Sequence, residues 1–155
     1  MQVTHTCTQI NDAPPPEVFP LLCPVREADW LEDWQYEMIH SESGIVEQGC
    51  VFTTPHHGTH PTTWYTVLHD PAQWQVQFVR VTPGEMVVHI AVHLEAFGTN
   101  QTRAHIAYTY TPLNDAQTSY VHHQLPEDFR NSMTWWETAL NHYLQTGTML
   151  RKSRP

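Results

Sequence analysis

The stretch EDFRNSMTWWETALNHYLQT, residues 127–146, is the longest amphipathic pattern in the chain. Its apolar side chains recur at steps of three and four, as they do along one face of a helix. They are Phe129, Met133, Trp136, Leu140 and either Tyr143 or Leu144. Gly147 follows directly, where a helix commonly ends in a left-handed residue. We therefore expect one long helix whose apolar face lies on another apolar surface.

That surface is predicted to be a sheet, because most of the remaining chain alternates between apolar and polar residues. The predicted strands are Val3–Asn11, Trp34–His40, Val46–Thr54, Thr63–His69, Trp74–Thr82, Met86–Ala96 and Thr102–Leu113. Two short helices starting at or near proline are expected at 17–22 and 24–31, and the stretch after Asp115 is either helical or irregular. A helix laid on a curved sheet either packs flush or leaves a space that can hold a ligand.

Composition indicates one globular domain, residues 1–155, with a short basic tail at 150–155. Hydrophobic residues make up 40% of the chain and charged residues 15%. The net charge of −9 argues against nucleic-acid partners, which are polyanions. No apolar run is long enough to span a bilayer and no signal-peptide pattern appears, so we expect a cytoplasmic protein that does not insert into membranes.

The order of elements resembles the helix-grip fold of the START-like, or SRPBCC, superfamily, which includes birch pollen allergen-like and polyketide cyclase-like proteins. The local sequence is similar to that of its bacterial members. The matching pieces are 13–34 with PVRE at 24–27, 44–54 with EQGCVFTT at 47–54, FVRVTPG at 78–84, YTYT at 108–111, and 135–147 from Trp135-Trp136 to LQTG. The resemblance implies an α+β helix-grip fold, in which a curved antiparallel sheet of about seven strands wraps around the C-terminal helix.

The resemblance also implies a cavity between sheet and helix, since members of the superfamily bind or transfer hydrophobic molecules and a minority catalyse cyclisation or aromatisation. The expected function is therefore to bind, carry or sense a small hydrophobic ligand, lipid-like or polyketide-like. One alternative is a cyclase or aromatase that uses the same cavity. Another is a filled-core protein that acts through protein contacts, for example as a homodimer through a sheet edge or the outer hairpin face.

The predicted inward face is rich in aromatic residues, which either fill a core or line a pocket. The expected ligand-binding residues are Trp34, Tyr36, Met38, Phe52, Trp64, Phe78, Arg80, Tyr108, Tyr110, Met133 and Trp136. Arg80 is ambiguous: strict alternation carries it inward, whereas a bulge would turn it outward. If Arg80 points inward, its guanidinium requires an anionic partner, either a carboxylate such as Glu37 or Glu47 or the acidic group of a ligand.

Familiar catalytic and cofactor motifs are missing from the sequence, so we assign no catalytic residue and expect no cofactor. Histidines His56, His57 and His60 form a cluster that is a weak metal candidate, because the glycine and proline around it favour an irregular loop. We expect no physiological metal there. His93 and His105 are expected to lie near each other on the outer face of the last hairpin.

Overall fold

The computed structural model describes residues 1–56, 58 and 60–153. Seven strands of this part form one sheet in the order β1-β7-β6-β5-β4-β3-β2, and every neighbouring pair is antiparallel. The strands are β1 Val3–Asn11, β2 Glu37–His40, β3 Val51–Thr54, β4 Thr62–Asp70, β5 Gln75–Thr82, β6 Met86–Phe97 and β7 Gln101–Pro112. Sequential neighbours follow each other through the sheet, and β1 returns to pair with β7.

The helices lie where the sequence predicts them, with small shifts at their ends. They are α1 Pro15–Val18, a 3₁₀ turn Phe19–Leu21, α2 Pro24–Trp30, α3 Asp115–His123 and α4 Leu125–Thr146. The stretch after Asp115 is helical, and Asn114 rather than Asp115 is its cap, accepting a 2.8 Å hydrogen bond from the Gln117 amide. In the described part of the chain, no helix combines the length and apolarity that crossing a bilayer requires.

Two strands are shorter than predicted. Strand β2 begins at Glu37 instead of Trp34, after a corner in which Asp33 has a φ of 69°. Strand β3 begins at Val51 instead of Val46, because the Glu47 carboxylate accepts hydrogen bonds from Ser41 and Ser43 and draws the preceding residues into a loop. Alternation encodes neither the left-handed backbone of Asp33 nor the hydrogen bonds of Glu47.

The last hairpin has the two faces that the sequence predicts. The inward positions of β6, Met86, Val88, Ile90, Val92 and Leu94, are all buried. On the outer face, the rings of His93 and His105 are 6.1 Å apart between centroids, and His105 contacts Glu95 at 3.0 Å. The buried face of the sheet is therefore the one that looks toward the helices.

Helix α4 lies on that face near one edge of the sheet. Its closest strand is β1, an edge strand, while Trp136 meets the fully buried ring of Trp30 edge-on at 5.1 Å. Phe129 and Leu140 are buried, as the amphipathic pattern predicts. Because the helix is anchored at the edge, the middle of the sheet is left to line a space beneath it.

Candidate functional site

A row of five residues crosses the sheet from β3 to β7. Phe52 pairs with Trp64, Trp64 with Arg80, Arg80 with Val88, and Val88 with Tyr110. Residues directly opposite each other on neighbouring strands point to the same face. Since Phe52, Trp64 and Val88 are buried on the helix side, Arg80 also points inward. The inward alternative for Arg80 is confirmed.

A cavity of about 590 Å³ lies between the sheet and helices α2, α3 and α4. It exceeds the roughly 300 Å³ at which ligand pockets begin. Exposed residues Asp33, His56 and Lys152 are part of its lining, so the cavity reaches the surface. The space beneath the long helix is open. This disagrees with the filled-core alternative, in which side chains would interlock there.

Nine of the eleven expected ligand-binding residues line this cavity. They are Trp34, Phe52, Trp64, Phe78, Arg80, Tyr108, Tyr110, Met133 and Trp136. Tyr36 and Met38 do not line it, and their placement on the wall was wrong. Tyr36 precedes the shortened β2, and Met38 pairs with the inward-facing Phe52 but lies on the edge strand, outside the lining of the cavity. Met38 instead contacts the thiol of Cys50, with the two sulfur atoms 3.6 Å apart.

One wall of the cavity is a cluster of aromatic rings. Phe52 stacks on Trp64 with 5.2 Å between centroids, and Trp34 meets Trp64 edge-on at 6.1 Å. The indole N–H of Trp64 donates to the Thr54 hydroxyl at 3.0 Å, and that of Trp34 donates to the Pro24 carbonyl at 2.9 Å. Because both indoles are already hydrogen-bonded within the protein, this wall offers mainly apolar ring faces to a ligand.

Arg80 is a cationic group on the sheet side of the cavity, whose lining also includes the exposed Lys152. Its guanidinium carbon lies 5.1 Å from the ring centroid of Trp64 and 5.8 Å from that of Tyr108, within the range of cation–π contacts. It forms no ion pair with any carboxylate of the described residues. The partners suggested by the sequence are wrong: Glu47 is bonded to two serines, and Glu37 is exposed on the edge strand.

Glu27 on α2 also lines the cavity, and the sequence analysis missed it. The signal was present in the spacing Pro24, Glu27, Trp30, which places the carboxyl on the buried face of the helix. Glu27 is partly accessible and lines the cavity. Burial raises the pKa of this carboxyl to about 8, because the charged form loses hydration.

Three tyrosines complete the polar lining. Burial raises the pKa of Tyr108, while Arg80 lowers it and Glu27 raises it, so both groups lie near this hydroxyl. Burial likewise raises the pKa of Tyr110. Tyr120 differs because its hydroxyl donates a 2.8 Å hydrogen bond to Asp128, whose pKa is lowered by its bonds to Gln124 and Tyr120.

The three clustered histidines, His56, His57 and His60, do not form one site among the described residues. His56 lies at the rim of the cavity and contacts the Glu85 carboxylate, and His57 lies outside the described residues. Among the residues that the structure describes, no group of three histidine, cysteine or acidic side chains, His60 included, is placed to hold a metal ion. The inner part of the cavity thus combines the Arg80 cation, the Glu27 carboxyl, tyrosine hydroxyls and aromatic faces, while Asp33, His56 and Lys152 are exposed members of its lining.

Comparison with solved structures identifies the fold. The chain superposes on Ara h 8.0201 with a TM-score of 0.64 and 16% identity, covering 94% of this chain and 99% of that one. For norcoclaurine synthase from Thalictrum flavum in complex with dopamine and hydroxybenzaldehyde, the TM-score is 0.66 and the identity 11%, over 99% and 90% of the two chains. For the Zhui aromatase/cyclase from Streptomyces sp. R1128 the values are 0.64 and 12%, over 97% and 99%.

These likenesses confirm the helix-grip fold that the sequence predicts. No protein-family model matches the chain, and no curated protein sequence does. At such low identities a shared fold does not carry an activity with it. Function must therefore be argued from the cavity itself.

Proposed function

We propose that this helix-grip protein binds a small hydrophobic ligand with an acidic group, and that it carries or senses that ligand in its cavity. One observation carries the proposal: the Arg80 guanidinium faces a cavity of about 590 Å³ with no carboxylate partner among the described residues. Arg80 is half-buried, and a partly desolvated cation without a partner is costly, so an anionic ligand would offset that cost.

The two parts of the site have separate roles in this proposal. The rings of Trp34, Phe52, Trp64 and Phe78 would take up apolar ligand surface, at roughly 25 cal/mol per Å² removed from water. Arg80 would orient the ligand through its acidic group, because a guanidinium matches the geometry of a carboxylate. Apolar surface would thus supply most of the affinity, and Arg80 most of the selectivity.

The first test is native mass spectrometry of protein purified without denaturation, in which a co-purifying small molecule would identify the ligand class. The second is titration with anthracene-2-carboxylate, followed by quenching of tryptophan fluorescence. We expect one bound molecule per chain, and Arg80→Gln should weaken binding about tenfold or more, as loss of a charged hydrogen-bonding partner typically does.

Arg103→Gln is the matched control, because Arg103 lies on the outer face of the hairpin beside Glu95 and should not affect binding. If anthracene-2-carboxylate and a panel of fatty acids fail to bind, or if both arginine variants bind them as the unaltered protein does, the proposal is wrong. Dichroism spectra of both variants would establish that the fold is retained.

A second candidate function is catalysis on the bound ligand, of the cyclase or aromatase kind. The observation that favours it is that Glu27, Arg80 and Tyr108 face one cavity, which offers a proton donor or acceptor beside a cation. The test is to incubate a ligand identified by mass spectrometry with the protein and with Glu27→Gln. A change in ligand mass or absorbance that needs Glu27 would support catalysis.

A homodimer remains a prediction. The β1 edge of the sheet is covered by α4, which leaves the edge at β2 as the place where two chains could pair. Light scattering over a range of concentrations would establish the oligomeric state.

A further inference from the structure

The polar side chains of the cavity wall fall into two groups. Trp34, Trp64, Tyr120 and Asp128 are hydrogen-bonded within the protein. The side chains of Glu27, Arg80 and Tyr108 make no hydrogen bond to any described residue although each lines the cavity, and the same holds for others, among them Tyr110 and the indole N–H of Trp135. Enclosed polar groups that lack an internal partner are positioned to bind something that enters the cavity.

Glu27 and Arg80 approach the cavity from different elements, the first from helix α2 and the second from strand β5. They are not an ion pair, since no oxygen of Glu27 lies within 4 Å of the guanidinium. The Arg80 guanidinium lies 5.8 Å from the centroid of the Tyr108 ring, and Glu27, Arg80 and Tyr108 line the same cavity. A ligand that reaches Arg80 can therefore present a second polar atom to Glu27.

We infer that Glu27 is a second anchor, whose protonated carboxyl donates a hydrogen bond to a neutral carbonyl or hydroxyl oxygen of the ligand held by Arg80. The ligand class is then an aromatic or polycyclic acid that carries a neutral oxygen acceptor away from its anionic group. This inference rests on the proposed function and adds to it a residue that determines specificity. Purely hydrocarbon acids, including fatty acids, would satisfy Arg80 and leave Glu27 without a partner.

The protonated form of Glu27 is favoured by its surroundings. Burial raises the pKa of this carboxyl to about 8, and an anion bound at Arg80 would favour the neutral form further. Affinity should therefore be full below this pKa and fall as the pH rises through it, because binding then requires uptake of a proton.

Other charged and titratable groups line the same cavity and enter into its pH dependence. They are Glu32, Asp33, His56, Arg80, Tyr108, Tyr110, Tyr120, Asp128 and Lys152. The pKa values of Tyr108, Tyr110 and Tyr120 are raised, so these hydroxyls keep their protons in the range in which Glu27 titrates. Asp128 has a lowered pKa and stays charged throughout. A His56→Gln variant removes the histidine at the rim and serves as the control.

The experiment compares two probes of matched size, anthraquinone-2-carboxylate and anthracene-2-carboxylate, of which only the first carries neutral carbonyl oxygens. Dissociation constants are measured at pH 6.5 and pH 9.5 by tryptophan quenching, and dichroism spectra confirm that the protein is folded at both. At pH 6.5 we expect the quinone to bind about threefold to tenfold more tightly, as one neutral hydrogen bond permits. At pH 9.5 this preference should vanish, and quinone affinity should fall about tenfold or more.

Two variants separate hydrogen bonding from charge. Glu27→Leu should abolish the preference for the quinone at both pH values while still binding anthracene-2-carboxylate. Glu27→Gln, which keeps an N–H donor, should bind the quinone nearly equally at both pH values. The preference and its pH dependence should both persist in His56→Gln.

Each failure has a distinct pattern. If both probes bind in an Arg80-dependent way but their ratio is unchanged by pH and by Glu27→Leu, the role of Glu27 is wrong and the proposed function stands. If neither probe binds, or binding does not depend on Arg80, the proposed function and the inference fall together.

Discussion

The side-chain amide of Asn141 donates a 2.9 Å hydrogen bond to the backbone carbonyl of Ile10. Asn141 also accepts a 3.0 Å bond from the Asp12 amide, and Glu137, one turn earlier on α4, accepts a 2.9 Å bond from the Ile10 amide. These are the backbone groups of edge strand β1 that face away from β7. The helix thus takes the place of a neighbouring strand, which holds it at the edge of the sheet and leaves the cavity beside it.

The first prediction concerns this attachment. Asn141→Ala should destabilise the protein by about 1–3 kcal/mol, because it leaves two partly buried backbone groups without partners. Asn131→Ala is the matched control, since Asn131 is exposed on the same helix. Urea unfolding measures both changes. Equal stability of the two variants would contradict a clamping role for Asn141.

This attachment shows how far sequence reasoning reaches. The apolar stripe of α4 predicted that the helix covers the sheet, and that is confirmed by the burial of Phe129 and Leu140. The polar residues Glu137 and Asn141 lie off the stripe, where a solvent-facing position is the usual expectation. Their partners are more than a hundred residues away on β1, and no local pattern carries that information.

The candidate site follows the same division. Period-two alternation predicted that Trp64, Phe78, Tyr108 and Tyr110 lie on the inner face. The direction in which Arg80 points follows only from the pairing of the strands. Alternation failed for Tyr36 because β2 begins only at Glu37 and leaves Tyr36 outside the strand. Glu27 was missed although its spacing from Pro24 and Trp30 places it on the buried face of α2, because a helix of only two turns gives a weak periodic signal.

The second prediction concerns the end of the long helix. Gly147 has a φ of 72°, and its amide donates a 2.7 Å hydrogen bond to the Tyr143 carbonyl. A side chain there would meet no atom within 4 Å, so the cost of Gly147→Ala is backbone strain alone, about 1–2 kcal/mol. Gly147→Asn should cost less, since asparagine tolerates the left-handed region better. Thermal unfolding would compare the variants, and an equal loss in both would argue against backbone strain as the cause.

The third prediction concerns stability and pH. Burial raises the pKa of Glu27 to about 8 in the folded protein, above its ordinary value of 4.5. Between pH 4.5 and pH 8 the folded state binds more protons than the unfolded state. The free energy of unfolding therefore falls as the pH rises, by up to about 1.4 kcal/mol per pH unit. The penalty is absent below pH 4.5 and complete above pH 8.

Glu27→Gln should remove that dependence. Its free energy of unfolding, relative to that of the unaltered protein, should therefore be higher at pH 9 than at pH 5. Glu17→Gln, at an exposed position on α1, is the control and should show no such difference. Urea unfolding of all three proteins at both pH values provides the test. A Glu27→Gln effect that does not vary with pH would mean that the carboxyl is not desolvated when the protein is folded.

The fourth prediction separates the cavity from the rest of the core by filling each with the same group. Val88 is 2% exposed and lines the cavity, whereas Val18 is fully buried and does not. Val88→Phe should place its ring in open space and cost little stability, while Val18→Phe should cost about 1–3 kcal/mol through overpacking. Val88→Phe should also weaken binding of anthracene-2-carboxylate, because it occupies the space beside Arg80. If Val88→Phe destabilises as much as Val18→Phe, the space beneath the helix is closed in solution, and a binding function for the cavity would lose its physical basis.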